Sequence, residues 1–222
     1  MTAPREIWIL GAGRLGRRAA DTLRQKYPQA GMVLIDSSGK ACAQMDISSF
    51  SVVCREGVGH VFKNLKEGRG PDWIIPMIPV HVAYEWVRLK LEKTHCIRSV
   101  AVPPEVVEKL PNPIIGADGQ AYMSNATFIC PWNCPEPDDI CTHTGKPRPQ
   151  NLHRFLENMK HPEFRTLVVQ SLQLSPGIGG YQPEALFQML KTVASGNDPV
   201  LLSTACRCHG VMHAFEIKAL LR

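Results

Sequence analysis

The apolar run Ile7-Trp8-Ile9-Leu10 leads directly into Gly11-Ala12-Gly13-Arg14-Leu15-Gly16, a G-x-G-x-x-G spacing, and then into the helical pattern of residues 17–23. A strand, a glycine turn and a helix in that order read as the opening of a βαβ unit. Gly11 permits the tight turn off the strand. Gly13 lets the backbone approach a pyrophosphate, and Gly16 lets the helix pack closely on the sheet. The start of the helix offers free N–H groups and a partial positive charge to such an anion.

A second strand-like run, Met32-Val33-Leu34-Ile35, ends in Asp36, 20 residues beyond Gly16, where an acid binds ribose hydroxyls. On these residues the segment from 5 to about 102 resembles a Rossmann NAD(P)-binding domain. It is similar to the N-terminal domains of potassium-uptake regulators of the TrkA-N type and of saccharopine-dehydrogenase-like enzymes. The resemblance implies a dinucleotide held by Gly11, Ala12, Gly13, Arg14, Leu15, Gly16, Asp36, Ser37 and Pro79. It does not by itself imply a reaction. Asp36 favours NAD(H), because a carboxylate repels a 2′-phosphate, although Ser37, Ser38 and Lys40 offer donors to one. The plain alternative is a glycine-rich turn with no ligand.

Strands alternating with helices continue to about residue 102 and indicate a doubly wound parallel sheet. The expected strands are 6–10, 32–36, 51–54, 72–75 and 98–102. The expected helices are 15–26, 60–66 and 79–93. After Pro103-Pro104 the pattern changes. Residues 126–129 read as a sixth strand, and five prolines between 130 and 150 exclude regular structure there. A helix at 152–160, a strand at 166–174 and a helix at 183–195 follow. Two closing strands, 200–208 and 211–219, are joined by His209-Gly210 as a tight hairpin. The expected architecture is α/β: a Rossmann domain over 1–125 and a smaller Cys-bearing α+β unit over 126–222.

The net charge of +5 is spread evenly, with 16 basic and 12 acidic residues in 1–125 and 9 and 8 in 126–222. Neither part is a polycation, so nucleic acid is not an expected partner. No leader-like start and no apolar run of about 18 residues is present, which points to a cytoplasmic chain without membrane insertion. In a reducing compartment, eight cysteines read as metal ligands, reactive thiols or packing residues rather than as a disulfide framework.

Three of those cysteines and a histidine, Cys130, Cys134, Cys141 and His143, fall within 14 residues of a proline-stiffened loop. Stiff loops suit metal binding because little entropy is lost when the ligands are ordered. Thiolates at such spacing suit zinc or an iron–sulfur cluster. The C-x3-C-x6-C spacing matches neither ferredoxin pattern nor the C-x2-C of a zinc ribbon. Cys206 and Cys208, two apart on an expected strand, share a face and offer a further ligand. Cys42, Cys54 and Cys96 have no ligand company and read as packing residues.

His81 follows the fourth strand, near the expected nicotinamide position, and is the acid–base candidate. A second glycine loop, Ser175-Pro176-Gly177-Ile178-Gly179-Gly180, reads as a connecting loop or as an anion cradle. Three functions remain open at this stage. One is an NAD-dependent oxidoreductase with a Cys-ligated metal or cluster beside a small-molecule substrate. Another is a non-catalytic NAD(H)-sensing module. The third is a cluster-bearing electron-transfer protein. A homodimer is expected.

Overall fold

A computed structural model describes residues 2–220. The first half runs β1 (Glu6–Leu10), α1 (Arg14–Lys26), β2 (Gly31–Asp36), α2 (Gly39–Ala43), β3 (Ser51–Cys54), α3 (Gly57–Asn64), β4 (Trp73–Pro76) and α4 (Val82–Leu91). The strands form a parallel sheet in the order β3-β2-β1-β4, with Ile7 opposite both Met32 and Trp73. Alternate residues of β1 feed opposite layers. Ile7 and Ile9 pack with Ala19, Ala20 and Leu23 of α1, whereas Trp8 and Leu10 pack with α3 and α4. The sheet is thus covered on both faces, as a parallel sheet requires. The Rossmann-type α/β expectation holds.

The remainder runs β5 (His95–Val100), α5 (Pro104–Val107), β6 (Ile114–Ile115), β7 (Ala121–Ser124), α6 (Leu152–Asn158), β8 (Arg165–Gln170), β9 (Leu172–Ser175), β10 (Ile178–Gly180), α7 (Pro183–Ala194), β11 (Val200–Ala205) and β12 (His209–Ala219). A second sheet has the order β6-β7-β12-β11-β8, and β5 also pairs with β12. The helices α4 and α7 supply Trp86, Val87, Leu186 and Val193 to one apolar layer that also takes Val200, Leu202 and Phe215 from the second sheet. Its other face is covered by residues from α5 and α6, including Val106, Leu152 and Leu156.

Four local expectations are corrected. The fifth strand does not extend the parallel sheet; β5 lies antiparallel to β12, with Ile97 opposite Ile217. Its alternating half-burial suits a sheet covered differently on its two faces rather than a strand buried on both. Residues 126–129 form no strand; Ile129 is 96% exposed, and Asn125 instead donates to the carbonyls of Gln150 and Arg207. The expected 166–174 strand breaks at Ser171, whose N–H still reaches Ala205 while β9 leaves to pair with β10. The last hairpin turns at residues 206–208, and His209 already belongs to β12.

Two buried histidines tie the parts together. His81, the N-cap of α4, faces His213 of β12 with Nδ1···Nδ1 at 2.9 Å, and its Nε2 lies 2.9 Å from the Thr204 hydroxyl. Tyr84 stacks on His213 at a centroid distance of 4.2 Å. One ring must accept for the Nδ1 pair to form, so the arrangement requires neutral imidazole. Burial pushes His213 down to about 4 and holds His81 well below the ordinary 6.5, with the neighbouring His213 lowering His81 further. Both folded-state values are depressed, so the stability they confer is complete above pH 6.5 and is lost as pH falls toward 4. His213 should account for about 2–3 kcal/mol of the stability lost in urea unfolding between about pH 7.5 and about pH 4.5, and His213→Gln should remove that share while the loss due to His81 remains. An undiminished pH dependence in the variant would refute the assignment.

Candidate functional site

The turn after β1 has the shape that its glycines require. Gly11 has φ +105°, and a side chain there would meet the Met77 carbonyl at 2.7 Å. At Gly16 a Cβ would lie 1.8 Å from the Gly11 carbonyl, so α1 packs against the turn backbone. Gly13 differs from both. Its conformation is extended and a Cβ there would meet no atom within 4 Å. The chain's own packing does not require glycine at this position. As N-cap of α1, Gly13 makes no side-chain cap, and no acidic residue occupies the first turn. The first-turn amides of α1 thus have no side-chain cap.

Asp36 closes the other side of this cradle. One of its carboxylate oxygens accepts from the Ala12 amide at 2.6 Å and the other from the Ser38 amide at 2.7 Å. The carboxylate is thereby locked at the turn with lone pairs left over for hydroxyl donors. Gly13, Arg14, Leu15 and Ser37 are exposed around it, and Pro79 is exposed in the turn before α4. The glycine turn and Asp36, 24 residues apart across the hydrogen bond, are therefore one site.

Beyond β4 a cavity of about 760 Å³ opens. Leu15, Arg18, Pro76 and Met77 form its wall on the side of the first sheet. The cysteines 130, 134, 141, 206 and 208 line the rest, together with Glu136, Arg148 and His209. The loop from 130 to 149 is clamped over the first sheet from two sides. The Arg18 guanidinium lies 4.4 Å from the centre of the Trp132 ring. The Gly177 amide donates to the Cys134 carbonyl at 2.9 Å, and Gln173 Nε2 donates to the same oxygen at 2.8 Å. Gly177, at φ +73°, would place a Cβ 1.6 Å from the Trp132 carbonyl. The second glycine loop thus braces the cysteine loop.

Of the candidate thiols, Cys130 is close enough to Cys134 and Cys141 for their charges to interact, and Cys208 to Cys130 and Cys134. Burial is the main reason that the Cys130 thiol is raised and that Cys208 is pushed up to about 11. Cys206 is pushed up to about 12 by burial and by Glu136, and its sulfur takes the Cys208 and His209 amides at 3.4 and 3.3 Å. His143 is not among the cavity residues; it is exposed and lies 4.5 Å from the Phe128 ring. His81 is 6% exposed, with both ring nitrogens engaged by His213 and Thr204, and does not line the cavity. Among the described residues, no three His, Cys, Asp or Glu side chains converge closely enough to hold a single ion. Cys42 and Cys54, expected as isolated packing residues, are instead bonded to each other, with Cα atoms 6.0 Å apart.

Two cavity residues escaped the sequence reading; His209 reads as a turn residue and, beside Cys206 and Cys208, as a further candidate ligand. Glu136 and Arg148 look like ordinary charges in a polar loop, yet Glu136 is buried and accepts from the Arg207 amide at 2.6 Å. The Glu–Pro and Arg–Pro neighbours in the proline-rich loop were the available signal, since stiffened charges are seldom placed at random.

No described helix is long and apolar enough to cross a membrane. Residues 83–218 match the model of a family described as "Uncharacterized protein, C-terminal domain". The match begins inside α4 and takes in the second sheet and the cysteine loop. An uncharacterized protein of Archaeoglobus fulgidus is 30% identical over 224 residues, covering 94% of this chain and 98% of the relative, so the likeness extends well beyond the C-terminal domain. The chain belongs to the family defined by that C-terminal domain.

Proposed function

We propose that the protein binds NAD(H) and acts as an oxidoreductase, with the cysteine-lined cavity as the place where substrate or a Cys-ligated centre meets the dinucleotide. The observation that carries this reading is Gly13, a glycine that the chain's own packing does not require, set at an uncapped helix start beside the anchored Asp36. The α1 amides would bind the pyrophosphate, and Asp36 would accept from the adenosine ribose hydroxyls. Past β4 the cavity wall of Leu15, Pro76 and Met77 would exclude water from the reactive end. Bound NAD(H) supplies hydride exchange with an oxidisable or reducible substrate. Proton transfer falls to His209 or Glu136, which face the cavity, rather than to His81, which does not.

One observation favours a second reading, a sensing module without turnover. The acid–base candidate beside the expected nicotinamide position is consumed by a structural hydrogen-bonded pair. Oxidation of NADH by a one-electron dye separates the two readings: an oxidoreductase transfers two electrons to two dye molecules and releases a proton, whereas a sensor only binds.

Isothermal titration tests the site itself. Wild-type protein should bind NADH more tightly than NADPH. Gly13→Val should abolish NADH binding without loss of stability, since its side chain enters open space. Asp36→Ala should weaken NADH by about 1–3 kcal/mol and NADPH by less. Equal NADH affinity in wild type and Gly13→Val would refute the proposal.

A further inference from the structure

Arg148 sets an electrostatic problem that the protein does not solve internally. Its guanidinium donates to the Cys208 sulfur and to the Pro137 carbonyl, and its buried Nε has no partner. Among the described residues no carboxylate forms a salt bridge with it. A partly buried cation without a salt-bridge partner is costly; Glu136 lines the same cavity without pairing with it, and its bonded neighbours are a thiol and a carbonyl.

The same region fixes the backbone of each cysteine; the Cys130 and Cys134 sulfurs are free, whereas Thr144 bonds the Cys141 sulfur and Arg148 that of Cys208. Cys134 is pinned through its carbonyl by Gly177 and Gln173. Cys141 sits in a turn closed by Gly145 N–H to its carbonyl at 2.8 Å and by its own N–H to the Lys146 carbonyl at 2.9 Å. Cys130 precedes a proline, and Cys208 is held at the β11–β12 turn. The sulfurs of Cys130 and Cys134 take no hydrogen bond among the described residues. By contrast, Cys206 is committed to the backbone of its own turn, and His143 stands outside the cavity.

We infer that Cys130, Cys134, Cys141 and Cys208 are the four ligands of an iron–sulfur cluster in this cavity, with Arg148 as its counter-charge. A zinc ion would draw its ligands to about 2.3 Å from one point. The cysteines here are spread around a cavity of about 760 Å³. Several metal atoms bridged by sulfide fill such a space with the same four thiolates. Placing a net-negative cluster beside Arg148 also provides the missing anion. The inference deepens the function proposed above and rests on its cysteine-lined cavity, but not on dinucleotide binding.

The test is anaerobic reconstitution of the full chain with ferrous iron and sulfide, reading iron and sulfide per chain and the paramagnetic resonance of the reduced protein. Wild type should take up iron with matching sulfide. Serine at position 130, 134, 141 or 208 should each cut iron and sulfide at least about fivefold or alter the resonance, whereas Cys206→Ser and His143→Ala should load fully. Thermal melts followed by circular dichroism show which variants are folded, and a folded Cys134→Ser or Cys141→Ser suffices if Cys208→Ser does not fold. One zinc or one iron per chain without sulfide, no metal at all, or full loading of the folded Cys→Ser variants would each overturn the inference. Gly13→Val should load normally, so loss of the cluster and loss of NADH binding are separate failures.

Discussion

The placement of everything functional depends on one apolar layer between the two sheets. Helices α4 and α7 lie in it, with Trp86 and Leu186 fully buried, and it draws residues from β1 and β4 on one side and from β11 and β12 on the other. Interiors packed to this density do not slide, because a shifted side chain would need a new hole. The carboxyl end of β4 therefore stays opposite the cysteine loop. Two close backbone approaches reinforce the register. Gly180 would place a Cβ 2.4 Å from the Ile74 carbonyl, and Gly177 one 1.6 Å from that of Trp132. The Ile74 and Tyr181 backbones exchange hydrogen bonds at 3.0 and 3.1 Å, so β10 continues along the margin of β4.

What was legible in the sequence follows from the range of the interactions involved. The glycine turn, α1 and the first three strands are set by neighbours within about 30 residues, where periodicity and turn chemistry are informative, and β4, paired with β1 across 66 residues, was legible from its own apolar run. The place of Asp36 at the end of β2 followed from spacing, whereas its anchoring by the Ala12 amide did not. The placement of β5 did not, because its partner β12 lies more than a hundred residues later, and only its alternation hinted at a half-covered sheet. His81 shows the same limit: a polar residue at a helix start suits either chemistry or a buried pair, and the deciding partner is 132 residues away. The glycine loop at 175–180 looked like an anion cradle because its glycines were visible and the carbonyls they accommodate were not.

The cysteine loop illustrates how an irregular segment can be rigid. Glu136 holds φ +49°, a left-handed conformation that costs a non-glycine residue on the order of 1–3 kcal/mol. That cost is offset locally: the Glu136 carboxylate accepts from the Arg207 amide, its carbonyl accepts from the Arg207 guanidinium at 3.0 Å, and the side chain is buried. Gly145 adds a second left-handed turn, at φ +66°, beside Cys141. Prolines 131, 135, 137, 147 and 149 restrict much of the remaining backbone. Prolines that fit the native backbone stabilise any loop by restricting the unfolded chain, but the left-handed Glu136 is a cost that a plain connection has no need to carry. A loop that must hold several thiols at fixed separations gains a great deal, because each ligand ordered during folding is one that need not be ordered on binding. On the proposed reading, the strain at Glu136 and the unpaired charge of Arg148 are two expressions of one design, a charged, rigid recess that a bound cluster would complete.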